Sequence, residues 1–165
     1  MTTTDEILAE IDRLQRASAF AAEWQITAAG FWANVQFFLG AAAAALAAVS
    51  SGTAFSDHSV VAGSLAAAAA LAAAVLASLR PAERTAQHQQ AAAAYHALAV
   101  ETRMLHGFGG AGGAGPALDD LRKLEARKVK LDSDAPWAPR RLSKKTEKFL
   151  QNGRRYYDNE GTPAV

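Results

Sequence analysis

The chain has 165 residues, which is room for one domain, or for a membrane unit with a modest soluble part. Because it contains no cysteine, it has no disulfide framework, no thiolate nucleophile and no Cys-ligated zinc. The formal charge is only +1, but the 17 Lys and Arg residues are unevenly placed: two lie before residue 30, none from 31 to 79, and fifteen from Arg80 onward. The sequence therefore predicts separate apolar and charged regions.

The first segment, residues 1–30, is polar and rich in acidic residues, and it lacks the basic start and early apolar core of a secretory signal. Ile7, Ile11, Leu14 and Ala21 recur on one face of a helix. We therefore expect an uncleaved amphipathic helix. With no proline before Pro81, this helix could run unbroken into the next segment.

Two uncharged runs follow. No charged side chain occurs from Trp24 to Ser56, and the apolar centre, residues 31–49, is long enough as a helix to cross about 30 Å of hydrocarbon. A polar loop, residues 50–58, leads to the second run, residues 59–79. Helices of soluble bundles keep a charged outer stripe, whereas these runs have none on any face. The pattern predicts two transmembrane helices.

The distribution of basic residues predicts the orientation of the two spans. The loop at residues 50–58 has no Lys or Arg, while Arg13 and Arg16 precede the first span and Arg80 and Arg84 follow the second. The positive-inside rule then places both termini in the cytoplasm. The alternative is a soluble Ala-rich bundle, because alanine is nearly neutral for membrane insertion.

The sequence predicts cytoplasmic helices for the remainder of the chain. We expect a helix at 80–106, a Gly-rich linker at 107–116, helices within 117–157 and a disordered tail at 158–165. The first of these helices carries a face expected to pack on the N-terminal helix or on a neighbouring subunit: Ala91, Tyr95, Leu98, Thr102 and Leu105. The next helix carries Leu118, Leu121, Leu124 and Leu131. The predicted fold is an all-α membrane protein, a two-transmembrane helical hairpin with an N-terminal amphipathic helix and C-terminal cytoplasmic helices.

A polar stripe enters the first span. Glu23, Thr27, Gly30 and Asn34 lie at steps of four, three and four residues, and Phe37 and Phe38 follow them. Polar residues within a span usually face a bundle interior or a water-filled path. In a pore, Glu23 would form the cytoplasmic mouth, Asn34 the wall, and Phe37 or Phe38 a constriction that gates by dewetting. Equally, Asn34 and Gln36 could be hydrogen-bonding glue between helices.

A dense basic segment lies near the C-terminus. Arg140, Arg141, Lys144, Lys145 and Lys148 could bind anionic lipid headgroups or a phosphorylated messenger. The alternative is a solvated helix face that balances acidic residues elsewhere.

The remaining motifs do not indicate a nucleotide-binding, metal-binding or catalytic site. Gly107, Gly109 and Gly112 match GxGxxG, but a helix rather than a strand precedes them, so we interpret them as linker. His88 and His96 lack a fixed carboxylate partner, so we expect interface or surface histidines and no metal site. No nucleophile elbow, P-loop lysine or HExxH motif occurs. We expect no enzyme, no cofactor and no nucleic-acid partner.

The order of these elements is familiar. An amphipathic helix and two spans are followed by AxxYHALAVETR (92–103), with Tyr95, Leu98 and Glu101, and by LDSDAPWAPRRL (131–142), with Ala135 and Pro136. Over roughly residues 7–150 the chain resembles the SLATT family, the SMODS and SLOG-associating two-transmembrane effectors. The resemblance implies a membrane-perforating effector of bacterial conflict systems, set off by nucleotide second messengers or partner sensor domains.

These readings together predict a homo-oligomeric pore in the bacterial cytoplasmic (inner) membrane. Its partners would be the lipid bilayer, further copies of itself, and a nucleotide messenger or a separately encoded sensor protein. The alternative is a membrane-anchored helical interaction or scaffold module without a pore.

Overall fold

The structure of the protein, a computed structural model, describes residues 4–54, 59–109, 118–144 and 146–148. These form four long helices: α1 (Thr4–Ala54), α2 (Ser59–Leu79), α3 (Pro81–Gly109) and α4 (Leu118–Asp134). A non-helical connection at 135–139 leads to a further helical stretch at 140–144 and 146–148, here named the basic stretch. No strand occurs among these residues. The expected all-α class is confirmed.

The chain divides into two compact units. Residues 29–86 form one, here named the apolar unit, and residues 1–28 with 87–165 form the other, here named the polar unit. Both α1 and α3 contribute to each unit, because the division falls within these two helices.

The first helix is longer than its predicted parts. α1 is continuous over 51 residues, so the expected boundary between the N-terminal helix and the first span is not a break. Gly30 lies inside it, and one glycine within a helix costs only about 1 kcal/mol relative to alanine. The helix also continues past residue 49 to Ala54, so the start of the predicted loop is helical. Residues 55–58 of that loop lie outside the described part of the chain.

Arg80 separates α2 from α3. Its φ of 46° lies in the left-handed region, which a non-glycine residue adopts at a cost of about 1–2 kcal/mol. Pro81 disfavours the right-handed helical conformation for the residue before it. The Arg80 N–H donates to the Leu76 carbonyl at 3.2 Å and caps α2, while the Arg80 carbonyl accepts from the Arg84 N–H at 3.2 Å and opens α3. The helix α2 therefore ends at Leu79.

The apolar unit has little interior of its own. The Ser50 hydroxyl donates to the Ala62 carbonyl at 2.9 Å, and the Arg84 guanidinium lies 4.6 Å from the centre of the Trp32 ring. Its buried apolar side chains among the described residues are four small ones, Ala29, Ala62, Ala69 and Pro81. Both α1 and α2 are long and apolar enough to span a membrane. In the most apolar 18 residues of each, 0% of the residues are buried in the first case and 6% in the second.

The polar unit has a true hydrophobic core. It consists of Ile11 and Leu14 from α1, Leu98 from α3, and Leu121 and Leu124 from α4. Partly buried side chains from the same three helices pack against it, namely Ile7, Leu105 and Leu131. The predicted packing faces of all three helices are therefore confirmed.

Two details of the predicted C-terminal half differ. Leu118, expected on the apolar face of α4, is the first residue of that helix and remains 37% exposed. α3 extends through Gly109, so the predicted linker does not begin at Gly107. Glycine weakens a helix without forbidding it, and a helix end tolerates it best. The rest of the predicted linker to residue 116, residue 117, and the chain beyond 148 with the predicted tail lie outside the described residues.

Candidate functional site

The predicted pore stripe follows α1. Glu23 and Thr27 are half-buried, whereas Gly30 and Asn34 are exposed. Phe37 and Phe38 are 69% and 67% exposed, and their rings meet edge to face with centroids 5.5 Å apart. In a single chain, the part of the stripe from Gly30 to Phe38 therefore faces the surroundings of the protein.

Thr27 has a partner within its own chain. Its hydroxyl donates to the Glu23 carbonyl at 2.9 Å and accepts from the Thr146 hydroxyl at 3.2 Å. Thr146 is only 1% exposed, and its hydroxyl also donates to the Leu142 carbonyl at 3.0 Å. Sequence reasoning missed this contact because the two threonines are 119 residues apart. Thr27 therefore anchors the basic stretch to α1.

A second buried contact lies close by. The Gln25 side-chain amide donates to the Pro136 carbonyl at 3.4 Å, and its oxygen lies 2.6 Å from His88 Nδ1. Because an amide oxygen can only accept, Nδ1 must carry the proton. Gln25 and His88 are 5% and 2% exposed, so His88 is an interior residue, while His96 is on the surface. This contact joins α1, α3 and the 135–139 connection.

The landmark residues Tyr95 and Glu101 both join α3 to α4. The Tyr95 hydroxyl donates to Asp132 at 2.7 Å, and Lys128 pairs with the other oxygen of that carboxylate at 2.6 Å. Burial, and then the hydrogen bond to Asp132 and its negative charge, raise the pKa of the Tyr95 phenol well above its usual range. Glu101 forms an ion pair with Arg127. These landmarks therefore have a structural role.

A groove of about 500 Å³ lies beside Tyr95. It is lined by Gln87, Gln90, Ala91, Ala94, Tyr95, Leu131, Asp134, Ala135 and Pro136. A phosphorylated messenger would meet one carboxylate here and none of the arginines or lysines that usually bind phosphate. The groove is therefore poorly suited to the anionic messenger expected from the family resemblance.

Four cations of the basic stretch form no ion pair with the described residues. Seven ion pairs occur in the described part of the chain: Arg13–Glu10, Arg16–Asp12, Arg80–Glu83, Arg122–Asp119, Lys123–Asp120, Arg127–Glu101 and Lys128–Asp132. Exposed Arg140, Arg141, Lys144 and Lys148 are in none of them. Lys145 lies outside the described residues. Trp137, just before this stretch, is 80% exposed.

No group of three or more histidine, aspartate and glutamate side chains in the described ranges could hold a metal ion. No protein-family model matches the chain, and no curated protein or solved structure is significantly similar to it.

Proposed function

We propose that the protein crosses the bilayer twice, assembles into a homo-oligomer around α1 and conducts ions or small solutes when its cytoplasmic helices rearrange. The observation that carries this proposal is the exposure of the uncharged apolar parts of α1 and α2. Leaving such surface in water costs about 25 cal/mol per Å². Lipid or further copies of the chain remove that cost.

The proposed topology is a helical hairpin with both termini in the cytoplasm. It is supported by the contacts Ser50 to Ala62 and Trp32 to Arg84, which join residues near the two ends of the apolar runs. Arginines flank the pair of runs on the proposed cytoplasmic side, and the connection between them has none. The membrane that the SLATT resemblance implies for this topology is the bacterial inner membrane.

A pore is supported by Asn34. Its amide, like that of Gln36 on another side of the helix, is exposed within an uncharged and largely apolar part of α1, where it would face hydrocarbon in an isolated chain. Polar side chains inside membranes face a bundle interior or water, so Asn34 favours assembly with its side chain turned inward. Phe37 and Phe38, one turn further along α1, would then form the apolar constriction.

The gating proposal follows from the contacts near residues 25–27. Gln25 and Thr27 connect α1 to the C-terminal segment through Pro136 and Thr146. A nucleotide messenger or a separate sensor protein that binds one arrangement of the cytoplasmic helices more tightly would shift the closed-to-open equilibrium. In a bacterium, opening would collapse the membrane potential during defence.

The test is ion flux from liposomes that contain the purified protein, comparing Asn34→Leu with Gln36→Leu. Both changes replace an exposed amide by leucine, but the two positions lie about 200° apart around α1. A pore lined by Asn34 predicts that Asn34→Leu alters flux and Gln36→Leu does not. Equal effects of the two changes would contradict the pore.

One observation favours a membrane-anchored scaffold instead: Thr27, part of the predicted stripe, already has a packing partner in Thr146. An anchor tolerates both leucine variants and gives no flux above protein-free vesicles. Membrane integration without flux, after the Thr27–Thr146 contact is removed by Thr146→Val, would support the anchor over the pore.

A further inference from the structure

The basic stretch presents its cations on one face. Successive residues of a helix are rotated by about 100°, which places Arg140, Arg141, Lys144 and Lys148 within roughly 100° of one another. Buried Thr146 lies on the opposite side, where it contacts Thr27. Glu147, the one acidic residue within the described part of this stretch, lies about 20° beyond Arg140 at the edge of this face and leaves it with a net charge of +3. The stretch is therefore fixed on one face and strongly cationic on the other.

These cations differ from the others in the described chain. Most of the remaining lysines and arginines are in ion pairs, Arg84 lies over Trp32, and Arg103 and Lys130 are isolated from one another along the chain. A concentration of unpaired positive charge on a surface attracts anions. The face is thus electrostatically complementary to a negatively charged partner.

The position of the stretch on α1 indicates which partner. Thr27 and Gln25 hold the stretch and its preceding connection against α1. Thr27 lies four residues before Phe31, where the apolar centre begins, a separation of about 6 Å along the helix. Trp137, a residue type that concentrates at membrane interfaces, is 80% exposed beside the same contacts.

We propose that the cations of the basic stretch, next to Trp137, form a binding site for anionic lipid headgroups on the cytoplasmic face of the bilayer. This inference rests on the proposed membrane insertion of α1 and α2. Each lysine or arginine near an anionic membrane surface contributes favourably, and the four together form a polybasic contact. The C-terminal segment thus responds directly to lipid charge. Through the contact of Thr146 with Thr27, the part of α1 proposed to take part in gating responds as well.

The test uses the absence of cysteine, because a single Trp137→Cys variant accepts one spin label. The full chain is placed in nanodiscs of neutral phosphatidylcholine, or of a mixture in which one lipid in three is anionic phosphatidylglycerol. The accessibility of the label to a neutral, water-soluble nickel chelate is then measured. We expect accessibility to fall by roughly threefold in the anionic discs, and to recover in about 1 M salt, where the Debye length is about 3 Å.

Two matched variants assign the effect. Changing Arg140, Arg141, Lys144 and Lys148 together to glutamine should abolish the difference between the two lipids. Changing Arg103, Arg122, Lys123 and Lys130, which are also exposed, removes the same charge elsewhere and should leave the difference intact. Loss of the effect in both variants would show a general charge effect and overturn the site.

Each other outcome is also decisive. Protein that integrates into both discs but shows equal accessibility in each contradicts the lipid site while leaving membrane insertion standing. Protein that fails to enter discs at all contradicts the proposed insertion. Shielding of the label in neutral discs on addition of inorganic pyrophosphate, without an effect of anionic lipid, would assign the face to a soluble phosphate instead.

Discussion

The two units of this protein are specified in different ways. In the polar unit, named side chains hold segments that are far apart in sequence, such as Gln25 with His88 and Thr27 with Thr146. In the apolar unit, the large side chains of Phe37, Phe38 and Leu71 are 69%, 67% and 70% exposed. One unit is thus defined by contacts within the chain, and the other by what surrounds it.

The largest expected difference between the units comes from a matched pair of leucines. Leu98→Ala empties a fully buried position of the core, so the polar unit should lose about 2–5 kcal/mol of unfolding free energy. Leu71→Ala changes a side chain that is 70% exposed in α2 and should cost less than about 0.5 kcal/mol. Denaturant unfolding in mild detergent, followed by circular dichroism, measures both. Equal losses would remove the distinction between the units.

A smaller effect is expected from a pair of glutamines. Gln25→Ala leaves the His88 N–H and the Pro136 carbonyl without this buried partner, which should cost about 1–3 kcal/mol. Gln36→Ala removes an exposed amide and should change stability by less than about 0.5 kcal/mol. The same unfolding measurement compares them. A neutral Gln25→Ala would show that this contact does not hold α1 to the C-terminal segment.

Much of this fold could be predicted from the sequence. The period of Ile7, Ile11 and Leu14 locates the face of α1 that enters the core, and Pro81 marks the end of α2. Such features are local, so spacing alone reveals them. The contacts of Gln25 are different, because Pro136 is 111 residues away and no local pattern predicts that pairing. The local signal is a histidine at position 88 among alanines and glutamines, and this pattern fits an interface and a surface position equally well.

The candidate sites show the same division. Exposure of Asn34, Phe37 and Phe38 follows from the uncharged run in which they lie, whereas the attachment of Thr27 to Thr146 does not. The charge of the basic stretch is visible in the sequence. That no described carboxylate pairs with these cations depends on which acidic residues the fold brings near, and only the structure gives that.

The smallest expected effect concerns pH and Tyr95. Its folded pKa is raised, so the stabilisation is complete below the unfolded tyrosine pKa of about 10 and is lost as the pH rises further. Tyr95→Phe removes both the bond to Asp132 and this pH dependence, at a cost of about 1 kcal/mol near neutral pH. The difference in unfolding free energy between the unmodified protein and Tyr95→Phe should be smaller at pH 11 than at pH 8. A constant difference between them would contradict the assignment.

The central claim is that α1 and α2 cross the membrane with both chain ends in the cytoplasm. Single cysteines at Gly52, near the end of α1, and at Lys130, on α4, test it directly in intact cells with a maleimide reagent too large for a pore. The account predicts that the cysteine at position 52 is labelled from outside and the cysteine at position 130 only after permeabilisation. Equal labelling of both, or recovery of the protein in the soluble fraction, would contradict it.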